Sequence, residues 1–333
     1  MKSFRHINAF SIAEAVTHME EYADRARIVA GGTDILGILK DQILPVYPEA
    51  LINIKTIPGL DYIEEDSSGL KIGALVKLDA LARSPLVRGK YKMLAEAAQS
   101  VATPQIRNMG TIAGNLGQDT RCWYYRYPHA IGGRILCLRK GSGPCLAVNG
   151  DNRYHAVFGG RRCLAACPSD IATALLALDA EIVTEGTGGS RIVPVKDFFN
   201  PLGNALEKDE LIVEIRMPDP PAAAQQHFIK YTLRKPVDFA VVSVAALVVL
   251  RDGICTEGHI SLGAVAAGPI RAEEAEQYLK GKMPDPAMLQ EAAALAVQTA
   301  KPLSKNGYKV EIARALIART LAACVAQPPA RTG

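Results

Sequence analysis

Thr103-Pro-Gln-Ile-Arg-Asn-Met-Gly-Thr-Ile-Ala-Gly-Asn115 and, further on, Cys167-Pro-Ser-Asp170 frame the part of the chain on which its fold turns. The first run is rich in turn formers and small residues, where a backbone can approach a phosphate closely. The second reads as the start of a helix. Between them lie Cys122, Cys137, Cys145 and Cys163, in a segment dense in Arg, Gly and aromatic residues; with Cys167, five of the seven cysteines fall in this window.

A diphosphate-bearing ligand needs backbone N–H groups that point at it with no Cβ in the way. Ala30-Gly-Gly-Thr-Asp34 after a short apolar strand, and Thr111-Ile-Ala-Gly-Asn115 after a helix, both offer that chemistry, and Thr33 and Thr111 add hydroxyls. Neither matches the dinucleotide fingerprint G-x-G-x-x-G, so a Rossmann site is not supported. Each turn alone also reads as an ordinary tight turn, and two together leave both readings standing.

A four-ligand metal site needs four thiolates on a chain able to fold back between them. Gly132-Gly133, Gly141-Ser-Gly143-Pro144 and Gly159-Gly160 are suitable hinges, and Arg121, Arg126, Arg134, Arg139, Lys140, Arg161 and Arg162 surround the thiols with positive charge. Such charge is expected to lower thiol pKa values. The spacing matches neither paired zinc knuckles nor a C-x₂-C-x₂-C ferredoxin run, so an iron–sulfur site, a zinc site and free buried thiols all remain open. His129 and His155 are expected as polar residues of a surface excursion, with ligation as the alternative. Trp123-Tyr-Tyr-Arg-Tyr127 reads either as packing within the insert or as a shield or partner surface.

At 333 residues the chain is long enough for more than one lobe. A net charge of +4 implies no nucleic-acid or anionic-membrane partner. The longest apolar run, Phe239 to Leu250, is too short to span a bilayer and reads as a buried strand. No apolar leader follows Met1, and an odd number of cysteines without one points to a reducing, cytoplasmic setting.

Ser11-Ile-Ala-Glu14 is a capping box that opens a helix. Strands at Arg27–Ala30 and Leu51–Ile54 make the first fifty or so residues a small β-α-β-like lobe. A hairpin around Asp66-Ser-Ser-Gly69, a helix to Val101, a helix from Asp170, the strand Glu181–Val183, a Gly-rich turn and the strand Glu210–Met217 complete a second lobe. Pro218-Asp-Pro-Pro221 is the clearest linker. Beyond it, strands over Phe228–Leu233, Ala240–Leu250 and His259–Ala266, then helices over Ala272–Leu279, Ala287–Thr299 and Val310–Ala326, predict an α+β domain with a three-stranded antiparallel sheet. The tail from Gln327 should fray.

Taken together, Val29-Ala-Gly-Gly-Thr-Asp34, Gln105-Ile-Arg-Asn-Met-Gly-Thr-Ile-Ala-Gly-Asn115 and Arg234-Lys-Pro-Val-Asp-Phe-Ala-Val241 resemble the medium, FAD-binding subunit of the molybdenum hydroxylases, over essentially the whole chain. That family includes carbon monoxide dehydrogenase, xanthine dehydrogenase and 4-hydroxybenzoyl-CoA reductase. The resemblance implies an α+β fold with a two-lobed FAD-binding domain (PCMH-like, non-Rossmann) over residues 1–220. Its lobes would span about 1–56 and 57–220, with the cysteine-rich insert at 118–166. A flavoprotein-type C-terminal domain would follow over 221–327, and a tail over 328–333.

The resemblance also implies that Ile28, Val29, Ala30, Gly31, Gly32, Thr33, Asp34 and Ile35 wrap the FAD diphosphate. Thr111, Ile112, Ala113, Gly114 and Asn115 would form the second turn, where the family usually has Gly-Gly in place of Ala113-Gly114. Val101 would line the pocket, Asp170 lie near the flavin ring, Ile212 cover it, and Lys230 reach the cofactor from the C-terminal domain. Most medium subunits lack the insert. The 4-hydroxybenzoyl-CoA reductase beta subunit and some periplasmic aldehyde oxidoreductase subunits carry one with a [4Fe-4S] cluster, which here implies Cys122, Cys137, Cys145 and Cys163 as ligands. Cys167 stands where those relatives tend to have His, and the Cys145-to-Cys163 spacing is nearer to the aldehyde-oxidising ones.

The implied function is electron transfer between a small subunit with two [2Fe-2S] clusters and an external carrier such as ferredoxin, with a molybdenum-cofactor large subunit doing the substrate chemistry. Reduction of an aromatic thioester of the 4-hydroxybenzoyl-CoA type is the first expectation, and oxidation of an aldehyde or N-heterocycle the second. A non-catalytic flavoprotein with a structural zinc clip is the rival from another class.

Overall fold

The structure, a computed structural model, describes residues 1–133, 135–235 and 237–326. Arg134 of the insert's basic set, Pro236 of the third motif and the tail expected to fray lie outside the described residues.

The first lobe runs β1 (Arg5–Asn8), α1 (Ile12–Tyr22), β2 (Ala26–Val29), α2 (Ile35–Asp41) and β3 (Ala50–Asn53). β3 is central and parallel to both neighbours, with Ala50 paired to Arg5 on one side and to Ala26 on the other. β1 is mostly exposed and has no apolar alternation, so nothing in its sequence marked it. The cap of α1 is a box displaced by one residue: Ser11 Oγ accepts the Glu14 N–H, while the Glu14 carboxylate accepts from Phe10.

The second lobe begins with the hairpin β4 (Ile63–Asp66) and β5 (Gly69–Gly73). The short helices α3 (Leu78–Arg83), α4 (Pro85–Lys90), α5 (Lys92–Ser100), α6 (Pro104–Met109) and α7 (Ile112–Leu116) follow. After the insert come α8 (Asp170–Ala177), β6 (Glu181–Gly186), β7 (Gly189–Pro194), α9 (Val195–Phe198), the two-residue strands β8 (Phe199–Asn200) and β9 (Gly203–Asn204), and β10 (Leu211–Met217). The sheet has the order β4-β5-β10-β6-β7 and is antiparallel throughout. The expected Gly-rich turn is the tip of the β6–β7 hairpin; β7 escaped notice because its first four residues face solvent.

The C-terminal sheet is antiparallel, β11 (Ala224–Tyr231), β12 (Val242–Arg251), β13 (Ile254–Gly263) and β14 (Ile270–Arg271), covered by α10 (Glu273–Leu279), α11 (Pro286–Val297) and α12 (Tyr308–Val325). It has four strands where three were expected, the fourth being only two residues long. β13 starts at Ile254 instead of His259, because Asp252 and Gly253, at φ 51° and 79°, close a tight two-residue hairpin directly after β12.

β12 explains the long apolar run. Ala245, Leu247 and Val249 enter the core shared with α5 and α8, while Val244, Ala246 and Val248 pack with α10, α11 and α12. A strand buried on both faces reads as continuous hydrophobicity. Among the described residues no helix is long and apolar enough to cross a membrane.

Among its described residues the insert is irregular apart from single turns at His129–Ile131 and Leu138–Lys140. All six hinge glycines, Gly132, Gly133, Gly141, Gly143, Gly159 and Gly160, take positive φ. The expected surface excursion is corrected by packing. Tyr125 and Cys137 bury against Ile38 and Ile43 of the first lobe, and Val157 and Phe158 join the C-terminal core. The insert is a wedge between the two.

Candidate functional site

Between the lobes opens a cleft of about 710 Å³. Its floor is the loop from β2 to α2, where the N–H groups of Gly31, Gly32, Thr33, Asp34 and Ile35 have no acceptor among the described residues. Backbone donors left in this state are what an anionic diphosphate takes up. A Cβ on Gly31 would overlap the Met109 carbonyl oxygen, so only glycine lets this loop lie against the end of α6. Gly32 has φ +72°. The two glycine turns thus meet, and Thr111, Ala113 and Gly114 border the same cleft.

The second turn contributes differently from the first. The N–H groups of Ile112, Ala113, Gly114 and Asn115 are already bonded to Val76 O, Ala74 O, Thr111 Oγ1 and Thr111 O. This turn shapes the wall more than it donates. Asn115 points away from the cleft: its Oδ1 accepts from Ser169 Oγ at 2.6 Å, and Ser169 Oγ also accepts the Ala172 N–H as the N-cap of α8.

Of the other expected positions, Ile28, Ala30 and Ile35 line the cleft, as does Ile212, which sits at the β-bulge of β10. Val29, Val101 and Ile112 are buried in the cores behind it. Asp170 and Lys230 form a buried ion pair at 2.6 Å, and the lysine also donates to Ser100 O. Burial pushes the Asp170 carboxyl up, against the pull of the Lys230 ammonium. Asp34 borders the cleft, but its carboxylate is taken by the insert: it accepts from Asp119 N and Arg126 Nη2 at 2.9 and 2.7 Å and forms an ion pair with Arg121 Nη2 at 3.0 Å.

All seven cysteines are unpaired. Cys122 and Cys137 share one apolar cluster, and Cys122 lies near enough to Cys163 and Cys145 for their charges to raise its pKa. The expected lowering by surrounding arginines is not what Cys122 experiences: burial pushes it up to about 11. Arg121 and Arg126 spend their charge on Asp34, and Arg161 and Arg162 face solvent. Cys167, raised to about 12 by burial, lies in the wall shared by the cleft and a smaller cavity of about 460 Å³.

His155 is buried, with Nε2 at 3.3 Å from Cys122 Sγ, whereas His129 is exposed. Burial, followed by the Lys309 charge, lowers His155 to about 4, so its ring is neutral at neutral pH. Among the described residues no group of three or more His, Cys, Asp or Glu converges to hold a single metal ion.

Sequence reasoning missed the polar clamp that holds the insert. Lys309, fully buried at the start of α12, donates to the carbonyls of His155 and Ala264 at 3.0 and 2.6 Å. Asn306 donates to His155 O and Ala156 O, and Asn152 accepts from Lys305 N. A lone Lys near a helix start carries no signal that it will be buried.

Residues 2–220 match the family model described as the FAD binding domain in molybdopterin dehydrogenase, and residues 227–324 that of the CO dehydrogenase flavoprotein C-terminal domain. The aldehyde oxidoreductase FAD-binding subunit PaoB of Escherichia coli K12 is 36% identical, over 98% of this chain and 100% of its own. The carbon monoxide dehydrogenase medium chain of Afipia carboxidovorans is 28% identical, over 96% of each. The carbon monoxide dehydrogenase structure from Hydrogenophaga pseudoflava superposes with a TM-score of 0.78 at 29% identity, covering 97% of each chain.

Fold and cleft together define a FAD-binding subunit of an oxidoreductase. The chain belongs to the FAD-binding medium subunits of the molybdenum hydroxylase family.

Proposed function

We propose that the chain is the FAD- and [4Fe-4S]-carrying electron-transfer subunit of a heteromeric molybdenum enzyme. It passes electrons between the [2Fe-2S] clusters of a small subunit and an external carrier such as ferredoxin, while a molybdenum-cofactor large subunit acts on the substrate. The observation that carries this reading is the run of acceptor-free N–H groups from Gly31 to Ile35 beside the four-cysteine insert. In this reading residues 1–220 form the flavin domain and 221–327 the C-terminal domain, and the protein works in the cytoplasm.

FAD supplies the ability to accept an electron pair and release it singly, and a four-iron cluster supplies one-electron exchange. The chain's own residues hold and orient. The Gly31–Ile35 loop receives the diphosphate, Ile212 covers the ring, and the Asp170–Lys230 pair stiffens the wall behind it. Cys122, Cys137, Cys145 and Cys163 hold the cluster and give up their protons on binding it. The donor set fits in kind: half-buried Cys122 lies near Cys137, Cys145 and Cys163, and Arg139 donates to Cys163.

The full-length relative named as an aldehyde oxidoreductase subunit supports aldehyde oxidation over reduction of an aromatic thioester as the activity of the complex. Purified protein tests the electron-transfer reading. It should release FAD and contain about four irons per chain. Cys137→Ala should lose the iron and keep FAD, while Cys167→Ala keeps both. Stoichiometric zinc without iron would sink the cluster, and absence of FAD would sink the whole assignment.

A further inference from the structure

Arg139 is where the insert's thiols meet the flavin cleft. It sits on the single turn Leu138–Lys140, directly after Cys137 and Leu138. Its Nε–H donates to Cys163 Sγ at 3.4 Å, Nη1 to Asp119 Oδ1 at 3.2 Å and Nη2 to the Pro201 carbonyl at 3.1 Å. The guanidinium lies 5.9 Å from the centre of the Tyr125 ring, whose hydroxyl donates to the same Asp119. Only 11% of the side chain is exposed. Arg139, Asp119 and Tyr125 all border the flavin cleft.

One cation therefore touches a thiol of the insert with one edge and forms the cleft wall with another. A guanidinium stays charged at any working pH and presents its donors in a fixed planar fork, so neither its charge nor its geometry drifts. A hydrogen bond to a cluster sulfur, and a positive charge beside it, favour the more negative, reduced form and raise the potential. Burial leaves that charge weakly screened by salt. The same charge favours added electrons in the cleft.

We propose that Arg139 is a positioning residue that couples the two redox sites, setting the potential of the cluster held by Cys163 and biasing that of the flavin in the adjoining cleft. The proposal rests on the four-cysteine reading of the insert and adds to it a residue that is itself no ligand.

The test is a potentiometric titration of the FAD- and iron-loaded protein, with flavin followed by visible absorbance and the cluster by electron paramagnetic resonance. Arg139→Met and Arg139→Lys are compared with the unaltered chain. In Arg139→Met both midpoints should fall, the cluster's by at least a tenfold change in its reduced-to-oxidised ratio, about 59 mV for a one-electron couple. Arg139→Lys, which keeps a charge but loses the fork, should recover part of the fall. Unchanged midpoints in Arg139→Met with iron and FAD intact would overturn the proposal. Loss of iron from both variants would also overturn it, since the residue would then be structural only. Iron missing from the unaltered chain is a separate result, and it would overturn the four-cysteine reading itself.

Discussion

A methyl group at position 31 would sit where the Met109 carbonyl oxygen is. The approach of the β2–α2 loop to the end of α6 is what puts two distant turns into one cleft, so Gly31→Ala should force them apart. Overpacking of this kind costs about 1–3 kcal/mol, equivalent to roughly a 5- to 150-fold loss in FAD affinity. FAD content and a binding titration measure it, with circular dichroism as the control for folding; full FAD occupancy at unchanged affinity would refute the role. Gly31 was singled out in the sequence as part of a glycine turn after a strand, which alone also reads as an ordinary tight turn. The partner it needs room for could not be read there, because Met109 becomes a neighbour only through the tertiary path of α6.

At the scale of elements, what was legible followed apolar spacing or apolar runs. α1 carries apolar residues at helical spacing, β12 a continuous apolar run and α8 a capped, largely apolar start, and each was found. β1 and β7 were missed because exposed edge strands have no such pattern, and α3 and α4 because six-residue helices hardly complete one. The clamp between α12 and the insert was invisible because its energetics come from burial that the sequence does not display. Burial lowers Lys309 to about 7 from its ordinary 10.5.

Between those values the unfolded chain holds a proton that the folded chain does not, so this residue's contribution to stability rises with pH. The cost of burying the ammonium is fully present below pH 7 and is relieved as pH climbs towards 10.5. Relative to Lys309→Met, which does not titrate, the unaltered protein should gain about 2 kcal/mol between pH 7 and pH 9. Thermal midpoints at the two pH values measure the difference. A gap that stays constant or narrows would show that Lys309 remains charged throughout.

In the molecule as a whole, the C-terminal sheet is an internal partition. Phe228, Ala245, Leu247 and Val249 belong to the same core as Leu94 and Leu175 of the flavin lobe. A chain cut at residue 220 would leave α5 and α8 with an apolar face and nothing against it. Such a fragment should be recovered as aggregate, or as a species that binds a hydrophobic dye and no FAD. A soluble, flavin-loaded fragment would show that the lobe closes its core without the sheet. The two family matches divide the chain near Pro218–Pro221, where the linker was read from its prolines, yet packing crosses that line throughout.

The clamp on the insert also sets an order of events during synthesis. Residues 152–158 are held by Lys301, Lys305, Asn306 and Lys309, which leave the ribosome about 150 residues later at the usual pace of translation. Until then the four thiols hang on a glycine-hinged segment with one wall missing. The insert therefore takes its final place only after the C-terminal helix that clamps it has been made.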